Sequence, residues 1–263
     1  MGLEKNIQLI DKKRRYFTQL GLQMRKALEL HKEAGLWQRK EGKRDWGNVS
    51  EHCLVEVARA DVLADELNLP EDIKEDLKTA AALHDFFKKG EKEIVIAGGL
   101  DWNSFEKASY ESTHQMQEAG FSERIIHLAN SIGHGSLLET ESILKKENLS
   151  SEDVAYLVLH YIDDYTIGSD WVKPAGKSLS GKYENDLERR MNNNENNSRY
   201  SLLNEEGKIQ LGGEKTFEAQ RRIGHLVEQK LFSFLTQIGA KITDAKDLPQ
   251  YIDQKIRNKI EKI

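Results

Sequence analysis

Three prolines in 263 residues leave this chain with almost no obligatory break in a helix, and its apolar residues recur at the helical period over long stretches. No stretch alternates apolar and polar residues as a half-buried strand would. The expectation is an all-α fold, a helical bundle with a C-terminal helical extension.

Composition narrows the chemistry. A single cysteine, Cys53, excludes an internal disulfide framework and a multi-cysteine zinc site, so a metal here must be held by His and carboxylate side chains. A net charge of -5 with both signs intermixed supplies no basic face, which makes nucleic acid an unfavoured partner. The run Lys12-Lys13-Arg14-Arg15 reads as the solvated face of a helix. The first residues are charged and lack an apolar leader, and no stretch approaches the roughly 18 apolar residues of a membrane span. A cytoplasmic protein with no membrane contact is expected.

Ile7, Ile10, Phe17, Leu20, Met24 and Leu28 share one face of a first long helix, followed by a charged, glycine-containing loop over 35–47. A second helix opens at Asn48-Val49-Ser50-Glu51, where a short polar side chain caps it, and runs to about Leu67. Pro70-Glu71-Asp72 starts a third, which carries Ile73, Leu77, Ala80, Ala81 and His84 and ends at Lys88-Lys89-Gly90. Ser122-Glu123 begins a further helix closed by Gly133 and Gly135. Ser150 or Ser151 caps another that places Tyr156, Leu159, His160 and Asp163 on one face. The run from Met191 to Asn197 is polar and reads as a loop. Phe217, Ile223, Leu226, Val227, Leu231, Phe234, Leu235 and Ile238 define a last long amphipathic helix, with a helical tail after Pro249. The chain thus divides into an N-terminal helix and loop (1–47), a core (48–172), and a polar loop with C-terminal helices completing the same domain (173–263).

The adjacent pair His84-Asp85 stands near the end of an apolar helix, where burying a carboxylate and an imidazole is costly without compensation. A metal ion supplies that compensation. His52, His114, His134 and Asp163 lie on or beside other predicted helices, and together the six side chains suit divalent Mn, Fe, Co, Ni or Zn, enough for two ions sharing one carboxylate. Helices facing one bundle core allow such ligands to converge. Asp164 competes with Asp163, although the periodicity through Tyr156 and Leu159 favours Asp163; His127 shares a helical face with His134 and competes with it. His160, one turn before Asp163, is either an orienting partner for it or a core histidine. Cys53 reads as a small buried side chain. Lys182, Arg189, Arg190 and Arg199 are available to clamp a phosphate, against the plain reading of a solvated loop.

The segments 48–58 (Asn-Val-Ser-Glu-His-Cys-Leu-Val-Glu-Val-Ala), 80–88 (Ala-Ala-Ala-Leu-His-Asp-Phe-Phe-Lys) and 161–166 (Tyr-Ile-Asp-Asp-Tyr-Thr) together resemble the H…HD…D signature of HD-domain phosphohydrolases. His114, followed by Glu118-Ala119-Gly120, and Ile132-Gly133-His134-Gly135 resemble the two extra histidines of the family's two-metal members. The resemblance spans roughly 48–172. It implies that His52, His84, Asp85 and Asp163 hold one metal, that Asp85 bridges to a second held by His114 and His134, and that Lys88 faces a substrate phosphate. His134 fits this pattern better than His127. Water activated by the metals would attack phosphorus, with Glu51 or Asp164 handling protons. Phe86-Phe87 replaces the usual Ile-Gly after the HD pair and is expected to narrow the approach to the metal. The Gly-Tyr-Pro signature of cyclic-dinucleotide cleavage is missing.

The resemblance implies a metal-dependent hydrolase acting on a phosphate ester of a nucleotide or small phosphorylated metabolite. A di-iron oxygenase and a non-catalytic regulatory module use similar ligand sets and stand as alternatives. A homodimer is an open expectation.

Overall fold

The computed structural model describes residues 21–37, 46–168 and 185–262. Among these are twelve α-helices and no strand, as the scarcity of proline and the helical periodicity require. They are α1 (Leu22–Glu33), α2 (Gly47–Glu66), α3 (Glu71–Leu83), α4 (Lys88–Gly98), α5 (Trp102–Glu118), α6 (Glu123–Ala129), α7 (Leu137–Leu144), α8 (Ser151–Asp164), α9 (Asp186–Glu195), α10 (Ser201–Gln210), α11 (Thr216–Gln237) and α12 (Leu248–Glu261). The first turns of the expected N-terminal helix, the Lys12–Arg15 run and Lys182 lie outside the described residues.

Helix α2 is the axis of the bundle. Every residue from Val55 to Ala64 is buried, and the helix packs against α3, α8 and α12. α3 and α8 also pack on each other, which closes a three-helix core, and one apolar cluster extends from Met24 to Ile256. Because α2 is covered on all sides, its polar residues need partners of their own. Arg59 donates to the Tyr165 carbonyl at 3.1 Å and to Thr166 Oγ1 at 2.5 Å, while Asp61 pairs with Lys74 at 3.5 Å.

Local signals account for several helix starts. Ser150 and Asp153 form a reciprocal capping box on α8, Ser122 caps α6, and Asp101 accepts from the Ser104 N–H to start α5. Glu71 and Asp72 occupy the first turn of α3 behind Pro70.

Other starts and stops differ from the sequence reading. α2 begins at Gly47 without a side-chain cap, since the Ser50 hydroxyl lies 2.9 Å from His31 Nδ1. Lys88-Lys89-Gly90 opens α4 instead of ending α3, which stops at Leu83 with a turn over His84–Phe87 between them. A Cβ at Gly90 would run into the Phe87 ring, which would have to shift. Most of the run from Met191 to Asn197, expected as a loop, is helical in α9. Asn185 caps that helix, and Leu187 and Met191, one turn apart, are fully buried. On α11 the buried face comprises Phe217, Ile223, Val227, Leu231 and Leu235, whereas Leu226 and Ile238 are exposed. The short helix α10 carries no strong periodic signal.

Candidate metal centre

The core helices bring four ligating side chains together. His52 and Glu56 are one turn apart on α2 and so share a face, His84 is the residue at which α3 ends, and Asp163 sits in the last turn of α8. One donor atom from each lies within 4.8 Å of the others, and this buried group could hold a metal ion. Two ligands each about 2.1 Å from a common ion stand up to about 4 Å apart, so a small contraction suffices.

Both imidazoles are preset for such a role. His52 Nδ1 lies 3.0 Å from the Gly168 carbonyl and His84 Nδ1 lies 2.8 Å from the Ala81 carbonyl. A carbonyl only accepts, so each Nδ1 carries a proton and each ring turns its Nε2 inward, where loss of the second proton would free a lone pair for a metal. Gly168 has φ of 77°, a left-handed conformation that glycine adopts without strain.

The inward-facing atoms then meet one another. His52 Nε2 is 2.9 Å from Glu56 Oε1 and 3.8 Å from Asp163 Oδ1, while His84 Nε2 is 3.4 Å from Glu56 Oε2 and 3.9 Å from Asp85 Oδ2. Glu56 is 0% exposed, and among the described residues neither of its oxygens nor His84 Nε2 has a hydrogen-bond partner. These contacts join buried titratable groups only to one another, and a cation held among them would compensate their charge. Burial opposes charge on His52, yet the carboxylates of Glu56 and Asp163 outweigh it and hold the imidazole well above its ordinary range. Burial likewise works against the Asp163 carboxylate, but Arg190, His52 and His84 keep it well below the usual value.

Asp85 stands beside the group and is tied to Lys88 Nζ at 3.3 Å. Burial resists its ionisation, and the charges of Lys88, His84 and His52 prevail, so its pKa lies below the ordinary carboxylate value. Lys88 also meets Glu91 at 3.1 Å, and despite burial these two carboxylates keep it protonated. Its charge is therefore directed at Asp85 and Glu91.

A cavity of about 320 Å³ adjoins the centre, and His52, Asp85, Asn48, Arg190, Asn193 and Asn194 are among its lining residues. Phe86, expected to narrow this approach, is 1% exposed and belongs to the apolar core; Phe87 packs over Gly90.

The remaining candidates are elsewhere. His114 is half exposed and lies 3.6 Å from Glu118. Buried Met116 lies two positions further on, about 200° around α5, so His114 points away from the core. His134 opens a 3₁₀ turn and stands edge-on to Trp102 and Phe105, with ring centres at 5.0 and 4.7 Å. Burial, with help from the Lys88 charge, lowers its pKa to about 4. His127 is half exposed and pairs with Glu139 at 2.8 Å. None of the three belongs to the buried group.

Asp164 accepts from Gln220 at 2.7 Å and lies 3.5 Å from His160 Nε2, and burial raises its pKa. His160 thus partners Asp164, not Asp163. Glu51 is only partly buried and is not among the residues lining the cavity. Cys53 is fully buried, which pushes its thiol pKa well up and makes it inert.

Glu56 went unrecognised in the sequence. Its only signal was the four-residue spacing from His52 within an otherwise buried helix. No described helix is long and apolar enough to cross a membrane. No protein-family profile, no curated protein and no solved structure matches the chain.

Proposed function

We propose that this chain is a metal-dependent phosphohydrolase that cleaves a phosphate ester of a nucleotide or small phosphorylated metabolite, with a divalent transition metal at His52, Glu56, His84 and Asp163. The observation that carries this reading is the set of buried, mutually facing donor atoms of four side chains, among which both Glu56 oxygens and His84 Nε2 have no hydrogen-bond partner, with His52 also lining an open cavity. The resemblance of the segments around His52, His84-Asp85 and Asp163 to HD-domain phosphohydrolases supports the same assignment.

A divalent ion held there supplies Lewis acidity and a lowered pKa for water, so no protein nucleophile is required. The protein's own groups do the positioning. The Gly168 and Ala81 carbonyls fix the tautomers of His52 and His84. Lys88 holds Asp85 in the cavity lining, where it can orient water or accept a proton from it. Arg190 and the amides of Asn48, Asn193 and Asn194 surround the space a phosphate ester would occupy.

The test is elemental analysis of protein purified without chelator or affinity metal, followed by assay of phosphate release from nucleotides and sugar phosphates with Mn, Co, Ni or Mg. Retained transition metal and phosphate release that His84→Ala abolishes are expected. Absence of metal binding overturns the proposal, and retained iron with oxygen consumption but no phosphate release would replace it with an oxygenase.

A further inference from the structure

Arg190 makes the most specific contact in the site. Its guanidinium meets Asp163 through two parallel bonds, Nη1 to Oδ2 at 3.0 Å and Nη2 to Oδ1 at 3.1 Å, and Nη2 also donates to the Thr166 carbonyl at 3.1 Å. Both oxygens of a carboxylate in the metal-ligating group are thus engaged by a cation that belongs to the protein. The same guanidinium lines the cavity, beside Asn193 and Asn194 of its own helix. Leu187 and Met191, buried on either side of Arg190 in sequence, hold α9 in place.

We propose that Arg190 couples metal binding to phosphate binding: it holds Asp163 until a metal ion claims that carboxylate, and then turns its charge to the phosphate of the substrate. The proposal rests on the phosphohydrolase reading above and adds a specific role for a residue of α9.

The argument is electrostatic. A divalent ion on Asp163 weakens the ion pair, because it repels the guanidinium and draws on the same carboxylate charge. Guanidinium cannot lose its proton, so a displaced Arg190 becomes a partly buried charge facing the cavity, with only Asp164, 4.0 Å away, left near it. A phosphate restores its partner with the same two-pronged geometry. Lys88 is unsuited to this task, since Asp85 and Glu91 already hold it. By linkage, an anion that attracts Arg190 frees Asp163 and tightens metal binding, and metal binding tightens the anion to the same degree.

The experiment is calorimetric titration of Mn²⁺ into the full chain, with and without sulfate as a tetrahedral anion that leaves Mn²⁺ soluble. In the unmodified protein, sulfate is expected to tighten Mn²⁺ binding about fivefold or more. Arg190→Gln should bind Mn²⁺ about tenfold more tightly in the absence of sulfate and show no response to it. Arg190→Lys keeps the charge without the fork, and should retain a reduced sulfate response; it carries the test if the glutamine variant does not fold. Weaker Mn²⁺ binding by Arg190→Gln, or a sulfate response that persists in it, overturns the proposal and makes Arg190 a brace for Asp163. Failure of the unmodified protein to bind Mn²⁺ or any transition metal would instead overturn the phosphohydrolase reading.

Discussion

Glu56 Oε1 lies 2.9 Å from His52 Nε2, one helical turn away, while its second oxygen lies 3.4 Å from His84 Nε2. The carboxylate therefore bridges two imidazoles from different helices, in a place with no exposure to solvent. Glu56→Gln keeps the shape and removes the charge. Mn²⁺ at 100 times its dissociation constant should stabilise the unmodified protein by about 2.7 kcal/mol, and most of that increment should vanish in the variant. Thermal unfolding with Mn²⁺ or with chelator reads the difference. An equal increment in both proteins would remove Glu56 from the metal centre.

His31 gives the fold a defined response to acid. It is fully buried, with Nδ1 2.9 Å from Ser50 Oγ and Nε2 2.6 Å from the Ala82 carbonyl, and burial lowers its pKa to about 4. The unfolded chain takes up this proton near pH 6.5, whereas the folded one does so only near 4. Stability is thus fully present above about pH 6.5, falls between 6.5 and 4, and levels off below, for a total of about 3 kcal/mol. His31→Gln should flatten this part of the profile in chemical denaturation measured across that range.

Gly207 lies where α10 packs tightly against the start of α11. A Cβ there would overlap the Thr216 backbone, with Thr216 Cα at 2.9 Å. In an exposed helix Gly→Ala stabilises by up to about 1 kcal/mol, but here the backbone would have to move. Gly207→Ala should therefore destabilise by about 1–3 kcal/mol, read as a shift in urea midpoint. A gain in stability would mean that the two helices are not in contact.

Met191 distinguishes a packed helix from a loop. It is 0% exposed within α9, and Met191→Ala should cost about 2–5 kcal/mol, whereas exposed Asn193→Ala should cost no more than about 0.5 kcal/mol. Equal, small losses for both would restore the loop reading of this segment.

Elements governed by local chemistry were legible in the sequence. The all-α class followed from periodicity and scarce proline, and the start of α8 from Ser150 and Asp153, because capping and amphipathic spacing act over a single turn. His52, His84 and Asp163 could be named for the same reason: motifs are short and their spacing is visible. Tertiary packing decided the rest. Leu187 and Met191 form a helix inside an asparagine-rich run because their burial outweighs its weak propensity. Glu56 joins the buried group that could hold a metal, His114 faces outward, and Arg190 reaches Asp163, since each depends on how whole helices rotate and dock. Those rotations are set by the summed burial of many side chains distant in sequence, a quantity that no local pattern contains.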